Sequence, residues 1–168
     1  MIEFENKLIQ CRLWDEPSIS DFSFKGLSFA LKIYFKYSNG VILLYDIINL
    51  KSFNIIKKLN EEINKNAPPN IKKILIGTKC DLEERRQVSE EEGKILVNEL
   101  CINYFFEASA KTGKNIKEAY YSLFREILID YKENEPKILD DKNKINKKVI
   151  IVLRKLINYI NYIKLYLY

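Results

Sequence analysis

Apolar positions along the chain follow two rhythms. Val41-Ile-Leu-Leu-Tyr45 and Ile74-Leu-Ile76 are short unbroken runs ending in Asp46 and Gly77, and Tyr104-Phe-Phe106 is a third run. Uninterrupted runs of this length predict strands covered on both faces, as in a parallel sheet. Between them the spacing changes. Phe53, Ile56, Leu59 and Ile63 share one face of a helix, and Ser89 and Glu92 have the spacing of a capping box that opens another. After Asn115, the residues Ile116, Ala119, Tyr120, Leu123, Phe124, Ile127 and Tyr131 keep a helical rhythm over four turns. Strands alternating with helices need crossover connections. The pattern therefore predicts an α/β fold: a doubly wound, mostly parallel sheet with helices on both faces. In such sheets ligands bind at the carboxyl ends of the strands.

Past Glu135-Pro136 the texture changes to Asp-Asp-Lys-Asn-Lys, then to Val149-Ile-Ile-Val-Leu153 and an Ile/Asn/Tyr/Leu run. The expected organisation is a globular domain over 1–131 and a basic, Asn/Lys/Ile/Tyr-rich tail over 132–168. A membrane span needs about 20 mostly apolar residues. Arg154, Lys155, Asn158, Asn161 and Lys164 interrupt the tail's run. Two readings of the tail stand: an interfacial or partner-bound helix, and a low-complexity extension without a selected role.

The net charge is +5, and its placement changes the picture more than its size does. Residues 137–168 hold eight basic and two acidic side chains, which leaves 20 basic against 21 acidic in 1–136. A near-neutral body argues against a nucleic-acid groove, whereas a basic tail suits a membrane surface. The three cysteines, Cys11, Cys80 and Cys101, are odd in number and follow no signal-peptide pattern. Reduced, buried thiols in a cytoplasmic protein are expected. With no histidine and no Cys-x-x-Cys spacing, neither a zinc site nor a histidine-based triad has its parts.

Two loops after predicted strands hold small polar clusters: Gly77-Thr-Lys-Cys-Asp-Leu82 and Glu107-Ala-Ser-Ala-Lys111. Singly, each reads as an ordinary solvated turn, with Asp81 as a cap. Together, in this order with one helix between, they resemble the guanine-specificity loops of Ras-superfamily small GTPases, which have the P-loop NTPase fold. Guanine presents adjacent N–H donors on its pairing edge, and one carboxylate accepts both, an arrangement adenine cannot satisfy. The resemblance makes Asp81 the base selector. It lays the stem of Lys79 over the base, brings the Ala110 amide to the guanine oxygen, uses Ser109 as a brace and packs Lys111 nearby. Thr78 stands where the family usually has Asn, a variant similar to the Rho branch. The stretch from Tyr34 to Asp46, then Ser52-Phe53, Arg85-Arg-Gln-Val-Ser89 and Glu92-Gly93, resembles the Rab branch. The likeness runs from Ile2 to Tyr131.

The likeness fails where phosphate is handled. A phosphate loop needs Gly-x-x-x-x-Gly-Lys-Ser/Thr, and none of Gly26, Gly40, Gly77, Gly93 and Gly113 begins one. Ile2 to Trp14 matches the family's second and third strands, so the part with the phosphate loop and the first switch falls outside these residues. The family's Trp-Asp-Thr-Ala-Gly-Gln reads Trp14-Asp-Glu-Pro-Ser-Ile19 here. Asp15 could hold Mg2+ through water. Ser18 replaces the glycine that senses the terminal phosphate, and Ile19 replaces the glutamine that orients the attacking water. No residue is therefore assigned a catalytic role. In the family's sheet the strand outside these residues lies between the third and fourth. Cys11 to Trp14 and Val41 to Tyr45 are thus expected as apolar edges, prone to aggregation or to remodelled pairing.

The resemblance implies a GTP- and GDP-binding switch of vesicle transport, working with effector, exchange and activating proteins at endomembranes. GTP hydrolysis is expected to be lost. The alternatives are a pseudo-GTPase interaction module and a gene fragment without function. The residues end in Leu165-Tyr-Leu-Tyr168, without a prenylation cysteine.

Overall fold

The computed structural model describes the backbone of residues 2–4, 7–15, 35–134 and 147–154, and the side chains of 35–130. Strands β1 (Ile2–Phe4) and β2 (Lys7–Asp15) form an antiparallel hairpin. They are followed by β3 (Gly40–Asp46), helices α1 (Leu50–Asn54) and α2 (Ile56–Asn66), and β4 (Lys72–Thr78). A 3-10 turn (Glu83–Arg85), α3 (Glu90–Glu99), β5 (Tyr104–Ala108), α4 (Ile116–Asn134) and β6 (Lys147–Arg154) complete the order. The sheet order is β1-β2-β6-β3-β4-β5, and every pairing except β1 with β2 is parallel. The doubly wound, mostly parallel α/β sheet is thus the observed architecture.

The alternation of side chains along β3 and β4 divides the core in two. Val41, Leu43 and Tyr45 join Leu75 under α2 and α3, where Ile56, Leu59, Ile63, Leu96 and Val97 are buried. Ile42 joins Ile74 and Ile76 on the opposite face, under Ala119, Tyr120, Leu123, Phe124 and Ile127 of α4. The parallel register Ile42↔Ile74, Leu43↔Leu75 keeps each face in step. Each fully buried Leu or Ile contributes roughly 1.5–3 kcal/mol. Local signals agree with these positions. Ser89 accepts from the Glu92 amide at 3.2 Å while the Glu92 carboxylate accepts from the Ser89 amide at 2.7 Å, so the capping box is closed.

Three findings depart from the sequence reading. β5 is an edge strand among the described residues, and Tyr104 is exposed, because no described strand lies beyond it. Cys101 is exposed rather than buried, since it sits in the turn after α3 with φ 51°. Residues 147–154, read as part of a tail and as a candidate interfacial helix, run as a strand between β2 and β3. The expected apolar edges on β2 and β3 are consequently paired. Among the described residues no helix is long and apolar enough to cross a membrane.

Candidate functional site at the strand ends

The carboxyl ends of β3, β4 and β5 meet at one corner. β4 ends in Thr78, whose hydroxyl donates to the Tyr45 carbonyl at 2.8 Å and ties β4 to β3. The next residue, Lys79, adopts φ 64°, a left-handed conformation that a side chain with a Cβ rarely takes. It turns the chain sharply, and the Leu82 amide closes back on the Lys79 carbonyl at 2.9 Å. The Lys79 ammonium pairs with the Asp46 carboxylate at the end of β3. The other Asp46 oxygen accepts from the Ile48 amide at 3.0 Å, so this one side chain holds both its own turn and the lysine.

Across the corner, the Cys80 amide donates to the Ala108 carbonyl at 3.2 Å. The Ser109 hydroxyl donates to Asp81 Oδ1 at 2.6 Å. Ser109 is fully buried, whereas Asp81 is exposed. Among the described residues the side-chain hydrogen bond to Asp81 is made through Oδ1. The loop after β5 is closed on itself. Gly113, at φ 80°, donates to the Ser109 carbonyl at 2.8 Å, the Thr112 amide donates to Ser109 Oγ at 3.2 Å, and the Ser109 amide donates to the Lys114 carbonyl at 3.1 Å. Asn115, at φ 57°, donates its side-chain amide to the Glu107 carbonyl at 2.7 Å as α4 begins. Ala110 is half-buried and Lys111 exposed on this loop.

Of the seven residues singled out in the sequence, Thr78 ends β4, and Lys79, Asp81, Ser109, Ala110 and Lys111 lie on the two adjoining loops. Asp15 is the last residue of β2, in register with Leu153 of β6, and only its backbone is described. Ser18 and Ile19 lie outside the described residues.

Residues to which the sequence gave no role support the corner from beneath. Arg86 grips Glu107 with both guanidinium ends, at 2.6 and 2.8 Å, and also holds Glu83 at 2.6 and 2.7 Å and the Val88 carbonyl at 2.8 Å. These contacts raise its already high pKa, the Glu107 bond contributing most and Glu83 next, so the charge is permanent. Burial pushes the Cys80 thiol above its ordinary pKa, which disfavours a reactive thiolate beside the loop. Beside Asp46 a shallow open cleft of about 660 Å³ is lined by Ile48, Asn49, Leu50, Lys51, Asn54 and Gln87. Arg86 and Asp46 were visible in the sequence as letters; only their partners, which are distant along the chain, give them a role.

The corner thus brings together the Asp81 carboxylate, the buried Ser109 that donates to it, and Lys79, which reaches back to Asp46 at the end of β3. These 168 residues contain no Gly-x-x-x-x-Gly-Lys-Ser/Thr run, and the described residues hold no cluster of three or more potential metal ligands.

Comparison with known proteins agrees. The Ras family model matches residues 1–129. The chain is 40% identical over 126 residues to "GTP-binding protein ypt2" of Schizosaccharomyces pombe, covering 75% of this chain and 60% of that protein. It is 38% identical over 128 residues to "Ras-related protein Rab-13" of Rattus norvegicus, covering 76% and 60%. To "Ras-related protein Rab-8B" of Bos taurus it is 36% identical over 127 residues, covering 76% and 58%. The chain thus spans about three fifths of the length of these curated relatives. With the sheet, the paired loops and these matches in agreement, the chain belongs to the Ras family of small GTPases and is Rab-like.

Proposed function

We propose that this chain reads the guanine base of GTP and GDP as a Rab-like component of vesicle transport, and that it does so with negligible GTP turnover. Asp81 accepts both pairing-edge N–H groups of guanine, and Ser109 holds that carboxylate in place. The Ala110 amide donates to the guanine oxygen, the Lys79 stem covers one face of the ring, and Thr78 and Lys111 flank it. Asp15 is the candidate for a water-mediated contact to Mg2+. The observation that carries this reading is the 2.6 Å bond from Ser109 to Asp81, which joins two loops 28 residues apart into one corner.

The loss of turnover rests on chemistry these residues do not carry. Ile19 has no group to orient a water, and Ser18 lacks the freedom of glycine at the position that senses the terminal phosphate. Effector, exchange and activating proteins are the protein partners inferred. The basic surplus of the C-terminal residues suits an anionic membrane surface at the cytoplasmic face.

Isothermal titration with guanosine, GDP, GTP and ATP, with and without Mg2+, tests the reading. Guanosine and GDP are expected to bind weakly and with similar affinity, independently of Mg2+, and ATP not at all. An Asp81→Asn variant that keeps its preference for guanosine over adenosine would sink the base assignment. Tight, Mg2+-dependent GTP binding would overturn the loss of phosphate handling. Ser18 and Ile19, which stand where the family senses the terminal phosphate and orients water, also favour a second reading, a pseudo-GTPase that binds proteins without nucleotide. A melting temperature unmoved by excess GTP, GDP and guanosine is its signature.

A further inference from the structure

We propose that Asp46 is a positioning residue for the candidate base site: it holds the Lys79 ammonium at the end of β3 and so keeps the Asp81 carboxylate clear for the N–H donors of a ligand. The consequence for guanine affinity rests on the reading of Asp81 proposed above; the restraint that Asp46 places on Lys79 does not.

The sequence sets a conflict. Lys79 and Asp81 carry opposite charges two residues apart, in the turn that leaves β4. An ammonium on a four-carbon stem reaches any nearby carboxylate, so Asp81 is a natural partner for it. That pair would occupy the acceptor oxygens and lay positive charge where the two pairing-edge N–H groups of guanine arrive. Nothing local prevents it, and a competing carboxylate has to come from elsewhere in the chain.

β3 supplies that carboxylate. The register pairs Asp46 with Thr78, the residue before Lys79, and the Lys79 ammonium pairs with Asp46 Oδ2. With side-chain exposures of 28% for Lys79 and 14% for Asp46, water screens this pair less than it would a pair with the exposed Asp81. Asp46 does not depend on the lysine for its own position. Its Oδ1 accepts from the Ile48 amide at 3.0 Å, and its amide donates to Ser52 Oγ at 2.9 Å. Ser52 is buried and donates to the Asn49 carbonyl at 2.7 Å. The Ile47 amide donates to the Thr78 carbonyl at 3.1 Å, which ties the two strand ends together. A fixed acceptor thus captures the end of a flexible side chain before any ligand arrives, and the ordering cost is met in advance.

The sheet order gives the capture a direction. β4 lies between β3 and β5. Asp46 draws the ammonium toward the β3 side, while Ser109, just past the end of β5, donates to Asp81 Oδ1 at 2.6 Å from the other side. The two opposite charges of one turn are drawn apart across the end of β4, as a ring entering between them requires.

Asp46→Asn tests this in the full chain, because it keeps an oxygen for the Ile48 amide and removes the charge that holds Lys79. Side-chain carboxyl 13C NMR at pH 7 reads the restraint without nucleotide. The Asp81 resonance is expected to move on Asp46→Asn in the natural background and to stay in place when the same change is made in Lys79→Met, which keeps an apolar stem and no charge. Guanosine titration reads the consequence. Asp46→Asn is expected to weaken guanosine binding roughly three- to tenfold, and to change it less than about twofold in the Lys79→Met background. An Asp81 resonance that ignores Asp46→Asn, or that moves equally in both backgrounds, overturns the proposal. So does an equal loss of guanosine affinity in the two backgrounds, which marks Asp46 as a support of its own turn alone. If the resonance moves as expected but the unaltered chain binds no guanosine, the restraint on Lys79 stands and the base reading of Asp81 falls.

Discussion

Tyr45 offers the sharpest test of how the core is built, because its two ends are served unequally. The ring is 1% exposed and packs edge-on against Phe53, with centroids 4.9 Å apart at 65°. Its hydroxyl is buried and has no hydrogen-bond partner among the described residues. A buried polar group left unpaired costs about 1–3 kcal/mol. Tyr45→Phe keeps the ring and removes that cost, so it is expected to stabilise the fold by about 1–2 kcal/mol, or roughly 2–4 °C in Tm per kcal/mol for a chain of this size. The hydroxyl also explains a glycine. A Cβ on Gly77 would meet Tyr45 Oη at 2.8 Å and Cζ at 2.9 Å, whereas a Cβ on Gly93 would meet the Phe105 ring at 2.4 and 2.6 Å and then Tyr45 Oη at 2.8 Å. Gly77→Ala and Gly93→Ala should each cost about 1–3 kcal/mol by overpacking. In the Tyr45→Phe background the Gly77→Ala penalty should shrink by about 0.5–1 kcal/mol in a double-mutant cycle, whereas the Gly93→Ala penalty should shrink by less, because the Phe105 ring still stands closest to its added Cβ.

Tyr45 also sets a pH dependence. Its pKa is raised, chiefly by burial and next by the charge of Glu107. In the unfolded chain tyrosine ionises near pH 10 while the buried phenol keeps its proton, so the folded state then holds more protons than the unfolded one. Stability from this residue is full below pH 10 and is lost above it, at up to about 1.4 kcal/mol per pH unit. The advantage of Tyr45→Phe should therefore widen above pH 10. Urea denaturation at pH 7 and pH 10.5, with unchanged m-values, is the assay. A Tyr45→Phe chain that is destabilised by more than about 1 kcal/mol, or a Gly77 penalty that is strictly additive, would refute the account of an orphaned hydroxyl.

Two further outcomes follow from the corner. Arg86→Ala leaves the Glu107 carboxylate, only 11% exposed, without its forked partner, and should cost about 3 kcal/mol in urea denaturation. Arg86→Lys should recover only a fraction, because an ammonium cannot grip two oxygens at once; full recovery would show that charge alone matters. At pH 8 the exposed Cys101 should be alkylated well before Cys80, whose thiol is held above its ordinary pKa by burial. Equal labelling rates by mass spectrometry would refute that order.

Local periodicity decided the elements. Runs such as Val41 to Tyr45 and Ile74 to Ile76 could be buried only as central strands, and the Ile116 to Ile127 stripe could be buried only as a helix face. The Ser89–Glu92 box was equally legible, because a cap is made by residues three apart. The two candidate recognition loops were legible as well, since each follows a strand whose end the sequence already marked.

Other features depend on partners remote in sequence and had no local signal. Nothing near Asp46 says that it will pair with Lys79, or near Arg86 that it will clasp Glu107, 21 residues on. The exposure of Tyr104 was hidden for the same reason: a strand's sequence does not state whether a neighbour lies beyond it. The place of residues 147–154 is the clearest case. Their apolar run was plain in the sequence, but a run specifies only that it must be covered. Which surface covers it was decided by pairing with β2 and β3, where the backbone groups of neighbouring strands satisfy one another.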